Sequence, residues 1–319
     1  MRPQHGWKAT FNTVMAKHNG YSADGGKTIS YATRQQRHDV LLQGFRDLRK
    51  VGFKFKTVYA FRGKHMERLV QQWEKSGLSS ATIQNRVSNF RTFSRWINKR
   101  GMVRAAEYYV TDKSRVASHY VATEAKTWTA KGVNIEERFA AIRQTKPRFA
   151  DALALQFLFG LRSKESLLLR PHLDDKGQVL LVTHGTKGGR DRYVPIDTPE
   201  QCQLLDHLKT TLKQGESLVP RGLTYAQCRN QYYYTLRQQG ISRKQGITAH
   251  GLRHEHLATL YQALTGHNAP VLGGTLRQTD QPLDSLARQQ VAERAGHSRE
   301  SIASAYIGGA NANAATEGK

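Results

Sequence analysis

Cysteine is nearly absent: Cys202 and Cys228 are the only two in 319 residues, with no spacing that reads as a disulfide framework or a thiolate metal site. That excludes a cystine-stapled secreted fold and leaves reduced thiols as the expectation. Long apolar runs are missing as well. No stretch approaches the roughly 18 residues that mark a membrane span. The opening MRPQHGWKATFNTVMAKHNG has no apolar signal core. A cytoplasmic chain without a membrane partner is therefore expected. Repeats and low-complexity tracts are absent too, which excludes solenoid and fibrous architectures. The scarcest class is the acidic one, with 25 Asp and Glu against 49 Lys and Arg, for a net charge of +24.

That charge is unevenly placed. Residues 1–133 hold 25 basic against 8 acidic side chains (+17), and residues 134–319 hold 24 against 17 (+7). An excess this large fits a polyanion, because neutralising phosphates releases condensed counterions. An anionic membrane surface would call for a Lys-rich amphipathic helix with a Trp/Leu face, and none is visible. Nucleic acid is the partner the charge implies.

A hydrophobic fraction of 38% leaves room for real cores, in one large domain or two ordinary ones. Residues 1–30, rich in Gly, Ser, Lys and Asn, are expected to form a flexible N-terminal arm. Residues 31–125 read as a helical domain, with 105–133 as connector, and 134–319 as a second domain with a C-terminal tail. The clearest helix follows Ser79-Ser80, either of which can cap it. Its apolar stripe is Ile83, Val87, Phe90 and Ile97, with Phe93 less central. Asn85, Ser88, Arg95 and Lys99 fall on the opposite face, with Gln84 and Arg91 on its flank. One reading is a solvated polar face. The other is a DNA-contacting surface, since Arg forks onto guanine and Asn or Gln onto adenine; the basic surroundings favour this second reading.

The second half mixes helix with a little strand, giving a mainly α chain with a small β-sheet. RFADALALQFLFGL is an apolar core helix. Val179–Val182 and Tyr193–Pro195 read as strands joined by the glycine-rich turn HGTKGGRD. Helical patterns return near 199–213, 224–239, 250–264 and 284–295, with a Gly/Pro-rich loop between the last two.

Within this half lies a sparse set of polar residues. Arg162 stands where one helix breaks and another opens, a place where backbone N–H groups favour anions, although a lone Arg there is usually a surface or ion-pair residue. Glu165, just inside the new helix, suits orienting basic neighbours. Lys187 tops the turn and can carry an ammonium to a leaving oxygen, or the turn is only a hairpin. His250 and Arg253, three apart, share a helical face. His250 and His254 have a zinc-like spacing, but position 251 is Gly where H-E-x-x-H needs Glu. No metal site and no cofactor are expected. His297 follows Gly296 at a helix start, and Tyr306 comes nine residues later. Tyr232, Tyr233 and Tyr234 offer rival phenols. Together the set supplies a nucleophile, cations for a phosphate and a proton donor for a departing alcohol. A free phenol titrates near about 10, so attack at neutral pH needs a base or cations beside it.

In the order R…K…HxxR…GH…Y, residues 134–310 resemble the tyrosine recombinase (phage integrase) family. GKHMERLVQQWEKSGLSSATIQNRVSNFRTFSRWI resembles the helical, SAM-like core-binding domain of integrases from proteobacterial mobile elements. The resemblance implies a SAM-like domain plus an α+β catalytic domain, clamped around duplex DNA and acting as a tetramer, with a directionality factor as a further partner. It implies that Tyr306 attacks to leave a 3′-phosphotyrosyl bond and a free 5′-hydroxyl. Arg162 and Arg253 would bind nonbridging oxygens, and Lys187 would protonate the departing 5′-oxygen. His250 would assist proton transfer at the nucleophile, and His297 would hydrogen-bond the phosphate. The chain departs from the family's pattern in its polar, glycine-rich segment 265–283, and in lacking a recognisable arm-binding fold in 1–30. Competing readings are a type IB topoisomerase, a non-enzymatic DNA-binding protein that would survive Tyr306→Phe intact, and a chromatin-like structural protein.

Overall fold

The computed structural model describes residues 6–110, 112–116, 121–275 and 279–309. The chain divides into two compact units, Met1–His119 and Tyr120–Lys319. No helix among the described residues is long and apolar enough to cross a membrane.

The first unit is built on α1 (Trp7–His18), α2 (Tyr31–Lys50), α3 (Gly63–Lys75) and α4 (Ser80–Trp96). Hydroxyls start two of these helices: Ser30 accepts from the Thr33 amide, and Ser79 from the Thr82 amide, each satisfying a donor that the helix leaves unpaired. The core is strongly aromatic, with Phe45 at its centre. Phe45 packs within 5.3–6.0 Å of Trp7, Phe11, Phe55, Phe61, Phe90 and Phe93. Phe93 is as fully buried as Phe90.

The expected flexible arm is corrected here. Trp7, Phe11, Val14 and Met15 fall at i, i+4, i+7 and i+8 and are buried in the same core. The polar composition of 19–30 masks this helical period. That loop is itself tied down, by Asn19 donating to the Arg34 carbonyl (2.8 Å) and Arg37 donating to that of Tyr21 (3.1 Å).

The expected connector is also apportioned differently. Ala106, Val110 and Val116 belong to the first core, whereas Trp128, fully buried, belongs to the second. The second unit therefore begins before residue 134, because its largest buried side chain lies upstream.

In the second unit, α5 (Ile135–Thr145) is capped by Asn134, and α6 (Pro147–Phe159) starts on proline and stops at Gly160, whose φ is +61°. α7 (Ser163–Leu168) and α8 (Pro171–Asp174) lead into β1 (Val179–Val182), which pairs antiparallel with β2 (Arg192–Pro195), Leu180 opposite Val194 and Val182 opposite Arg192. Next come α9 (Pro199–Thr211), α10 (Tyr225–Gln238), α11 (Ala249–Thr265), α12 (Gln281–Arg294) and the short α13 (Ser304–Ile307). The first four of these stand where the hydrophobic periods placed them.

Two clusters fill the unit. The larger joins α5, α6, α9, α10 and the hairpin through Leu153, Phe159, Leu180, Leu205 and Tyr232. The smaller joins Leu257 and Tyr261 of α11 to Val291 of α12 and to Ala303, Tyr306 and Ile307. α11 serves both, since Ala249 and Leu252 face the first. Its start approaches the chain so closely that position 251 admits no side chain: a Cβ there would stand 2.5 Å from the Lys126 carbonyl oxygen and 2.8 Å from the Trp128 ring. Packing therefore requires the glycine that breaks the zinc motif.

Candidate active site

Arg162 is the N-cap residue of α7. Its amide donates to Glu165 Oε2 (2.7 Å) and its Nη1 to Oε1 (2.7 Å). Its Nη2 donates to the Ala295 carbonyl (2.8 Å) and lies 3.3 Å from His297 Nε2. Arg253, with no exposed surface, donates from Nη1 to the Gly160 carbonyl and from Nη2 to that of Ala295. Both guanidiniums thus meet at one carbonyl, just past the end of α12, the end of a helix that attracts cations. Burial lowers the Arg253 pKa to about 10, so it stays charged at neutral pH.

Glu165 is the acid between these cations. Burial alone would raise its carboxyl, but the charge-assisted bonds from Arg192 and Arg162 outweigh it and bring the value down to about 2. Arg192 was missing from the expected set. It grips Glu165 with both terminal nitrogens at 2.8 Å. The signal for it was present: Arg192 shares strand parity with core-facing Val194, and a charge on the buried face of a strand demands a partner.

Tyr306 lies in α13, 8% exposed. Its ring stands over the Arg253 guanidinium (5.4 Å) and beside the rings of His254 (5.0 Å), His250 (6.0 Å) and His297 (6.3 Å). His254, weighed only as half of a metal spacing, is the nearest ring to the phenol, and its Nδ1 lies 3.3 Å from the Tyr306 carbonyl; its i+4 offset from His250 was the available signal. Burial, then neighbouring cations, lowers His297 to about 4. Burial likewise takes His254 to about 4, against a partly offsetting bond to the Tyr306 backbone. His250, at the solvent edge, is also held low by packing and by His254, Arg253, Arg162 and Lys126. At neutral pH all three are uncharged imidazoles.

Lys187 is exposed in the turn between the strands, and its charge is felt at His297. The rival phenols separate: Tyr232 is buried in the larger core with its hydroxyl accepting from Gln156 (2.8 Å), while Tyr233 and Tyr234 are exposed on α10. Among the described residues no group of His, Cys, Asp and Glu could hold a metal.

The face predicted on α4 is only partly open. Asn85 and Ser88 are exposed. Arg91 donates to the Arg104 carbonyl (2.8 Å), Lys99 to those of Phe61 (2.9 Å) and Tyr59, and Gln84 to that of Val116. Arg95 stands 3.7 Å from Asp24, an acidic partner that the expected face lacked, supplied by the 20–29 loop.

A buried and a half-buried arginine, a braced carboxylate, neutral imidazoles and a phenol are a set for binding and attacking a phosphodiester; with the two-unit helical fold they point to a DNA strand-breaking class. Comparison with known proteins agrees. Residues 17–103 match the family model "Phage integrase, N-terminal", and residues 114–258 match the model "Integrase". The chain belongs to the phage integrase family of tyrosine recombinases. Its catalytic match ends before His297 and Tyr306. No curated protein matches significantly. Among solved structures, a lambda integrase dimer bound to a COC′ core site has a TM-score of 0.61 at 14% identity, covering 93% of this chain and 94% of that one. The Tn1549 transposon integrase with circular intermediate DNA has 0.60 at 16%, covering 97% and 99%. A lambda integrase tetramer on a Holliday junction has 0.60 at 14%, covering 93% and 77%. These likenesses are of fold; this chain is mainly helical with a small two-stranded sheet among the described residues.

Proposed function

We propose that this protein is a site-specific recombinase that cuts and rejoins duplex DNA through a 3′-phosphotyrosyl intermediate, integrating or excising a mobile element. The observation that carries the reading is the placement of the Tyr306 ring over Arg253 and among three imidazoles. The Tyr306 phenol oxygen attacks phosphorus, and a neutral imidazole, His250 at the open edge, takes its proton. Arg162 and Arg253 stabilise the charge that builds on the nonbridging oxygens, with His297 as a further hydrogen-bonding partner. Electrostatics fixed in advance is often the largest catalytic contribution. Lys187 protonates the 5′-oxygen as it leaves. One phosphodiester replaces another, so bond energy is conserved and the chemistry needs neither ATP nor a metal. The similar fold of integrases solved on DNA, one as a tetramer on a Holliday junction, supports assembly on duplex sites.

The test begins with duplexes enriched by the purified protein from a random-sequence pool, then nicked at successive positions so that cleavage traps the protein. SDS-resistant adducts are expected, and Tyr306→Phe should lower them by about 10⁴-fold or more, as loss of a nucleophile does. Undiminished adducts in that variant would sink the reading.

A further inference from the structure

The nine-residue connection 183–191 between β1 and β2 is bonded to the rest of the unit by His184, whose Nδ1 lies 3.4 Å from Arg170 Nη2, and by Arg190, which donates to Ser298 Oγ (3.5 Å); on both sides it also approaches Glu165. On the β1 side, Gly185 (φ +83°) lies so close to the start of α7 that a Cβ would stand 3.0 Å from the Glu165 amide nitrogen and 3.0 Å from the Lys164 carbonyl carbon. On the β2 side, Arg192 holds the Glu165 carboxylate by two 2.8 Å bonds. Between the stems the turn is open: Lys187 is exposed, and a Cβ at Gly188 or Gly189 would meet nothing within 4 Å. The same carboxylate holds Arg162 at 2.7 Å.

Resting on the proposed recombinase reading, we infer that Arg192 and Gly185 are positioning residues that dock the hairpin on Glu165 and so set where Lys187 stands relative to the arginine-bound phosphate. The leaving-group side and the phosphate-binding side of the site are registered against one carboxylate. Without Arg192 the β2 side of the turn loses its charge-assisted hold on Glu165 and keeps the longer Arg190–Ser298 bond (3.5 Å), and Lys187 no longer returns reliably to the leaving oxygen.

This role has a chemical signature. A sulfur replacing the bridging 5′-oxygen leaves as a thiolate, whose conjugate acid titrates near about 8.5, so it needs no proton donor. A fault in placing Lys187 therefore disappears on that substrate, and a fault in phosphate binding or folding does not. Adduct formation would be measured for the full chain on the selected nicked duplex, with 5′-oxygen and with 5′-bridging sulfur at the mapped cleavage position. Arg192→Ala is expected to be about 100-fold slow on the oxygen duplex, the scale of a misplaced catalytic group, and within about fivefold of the unmodified protein on the sulfur duplex. Gly185→Ala, which alters no charge, is expected to follow the same pattern if Arg192→Ala folds poorly. An equal defect on both duplexes, or none on oxygen, overturns the inference. Lys187→Ala is the control on the underlying reading: it too must be slow on oxygen and rescued by sulfur. If it is not, the role given to Lys187 fails, whereas rescue of Lys187→Ala without rescue of Arg192→Ala or Gly185→Ala refutes the docking role alone.

Discussion

The two cores of the catalytic unit carry different halves of the chemistry. The larger one, built largely of aliphatic side chains from α5, α6, α9, α10 and the hairpin, supports Arg162, the Glu165 carboxylate that braces it, and the hairpin that carries Arg192 and Lys187. The smaller one is rich in alanine and carries Tyr306, the proposed nucleophile, on a helix of four residues. That helix is tied down by Arg288 Nη1 donating to the Gly308 carbonyl (3.0 Å) and the Ala122 amide donating to that of Ser304 (2.8 Å), with Ile307 fully buried. The two clusters thus hold different members of the site, and α11, which belongs to both, places Arg253 between Glu165 and the Tyr306 ring.

Removing the junction itself should have the largest effect. Arg253→Ala is expected to cut adduct formation by about 10³-fold, the scale of losing a preorganised charge, and to lower the melting temperature, because Glu165 loses a buried cation 4.0 Å away. Retained cleavage would show that the two halves do not meet at this residue.

Matched core truncations come next. Leu257→Ala and Leu205→Ala should each cost about 2–5 kcal/mol in denaturant unfolding. Only Leu257→Ala should also slow adduct formation per folded molecule, because it loosens the support of Tyr306. Equal slowing by both would erase the distinction between the cores.

Acid should separate the halves in sequence. His254 has a folded value near 4, below its ordinary 6.5. The unfolded chain therefore binds more protons between those limits, and stability falls as pH drops from about 6.5 to 4. Glu165, lowered from 4.5 to about 2, gives up its contribution only below about 4.5. Melting curves recorded from pH 8 to 3 should be flat above about 6.5 and decline below it. In His254→Phe the first decline should shrink. A stability rise on acidification through that window would contradict the assignment.

The smallest effect is expected far from both cores. Asn85→Ala on α4 should reduce affinity for the selected duplex by about tenfold at most, within the range of one base contact, with no change in melting. If affinity for random duplex falls equally, Asn85 touches the backbone and reads no base.

Much of this organisation was legible in the chain. Periods of 3.6 placed α4, α6, α9, α10 and α11, short apolar runs on either side of a glycine-rich turn placed the hairpin, and the structure brings HxxR, GH and Tyr306 together. The misses have physical causes. The α1 helix was hidden because a short apolar period sits beside a loop rich in Gly, Ser and Asn. Trp128 was assigned to a connector because one buried aromatic in a polar stretch has no period to announce it. The α4 face looked free because partners such as the Phe61 and Arg104 carbonyls are tertiary, and backbone acceptors leave no mark in a sequence. Arg192 was overlooked because its partner lies 27 positions upstream.

The carbonyl of Ala295 has a consequence for how such a chain can change in length. It is the common acceptor for Arg162 and Arg253, and it sits one residue past the end of α12. A residue inserted within α12 swings everything beyond it by about 100° and leaves two guanidiniums reaching for an oxygen that has turned away. The helix works as a ruler, so its length should be far less free to change than its surface residues.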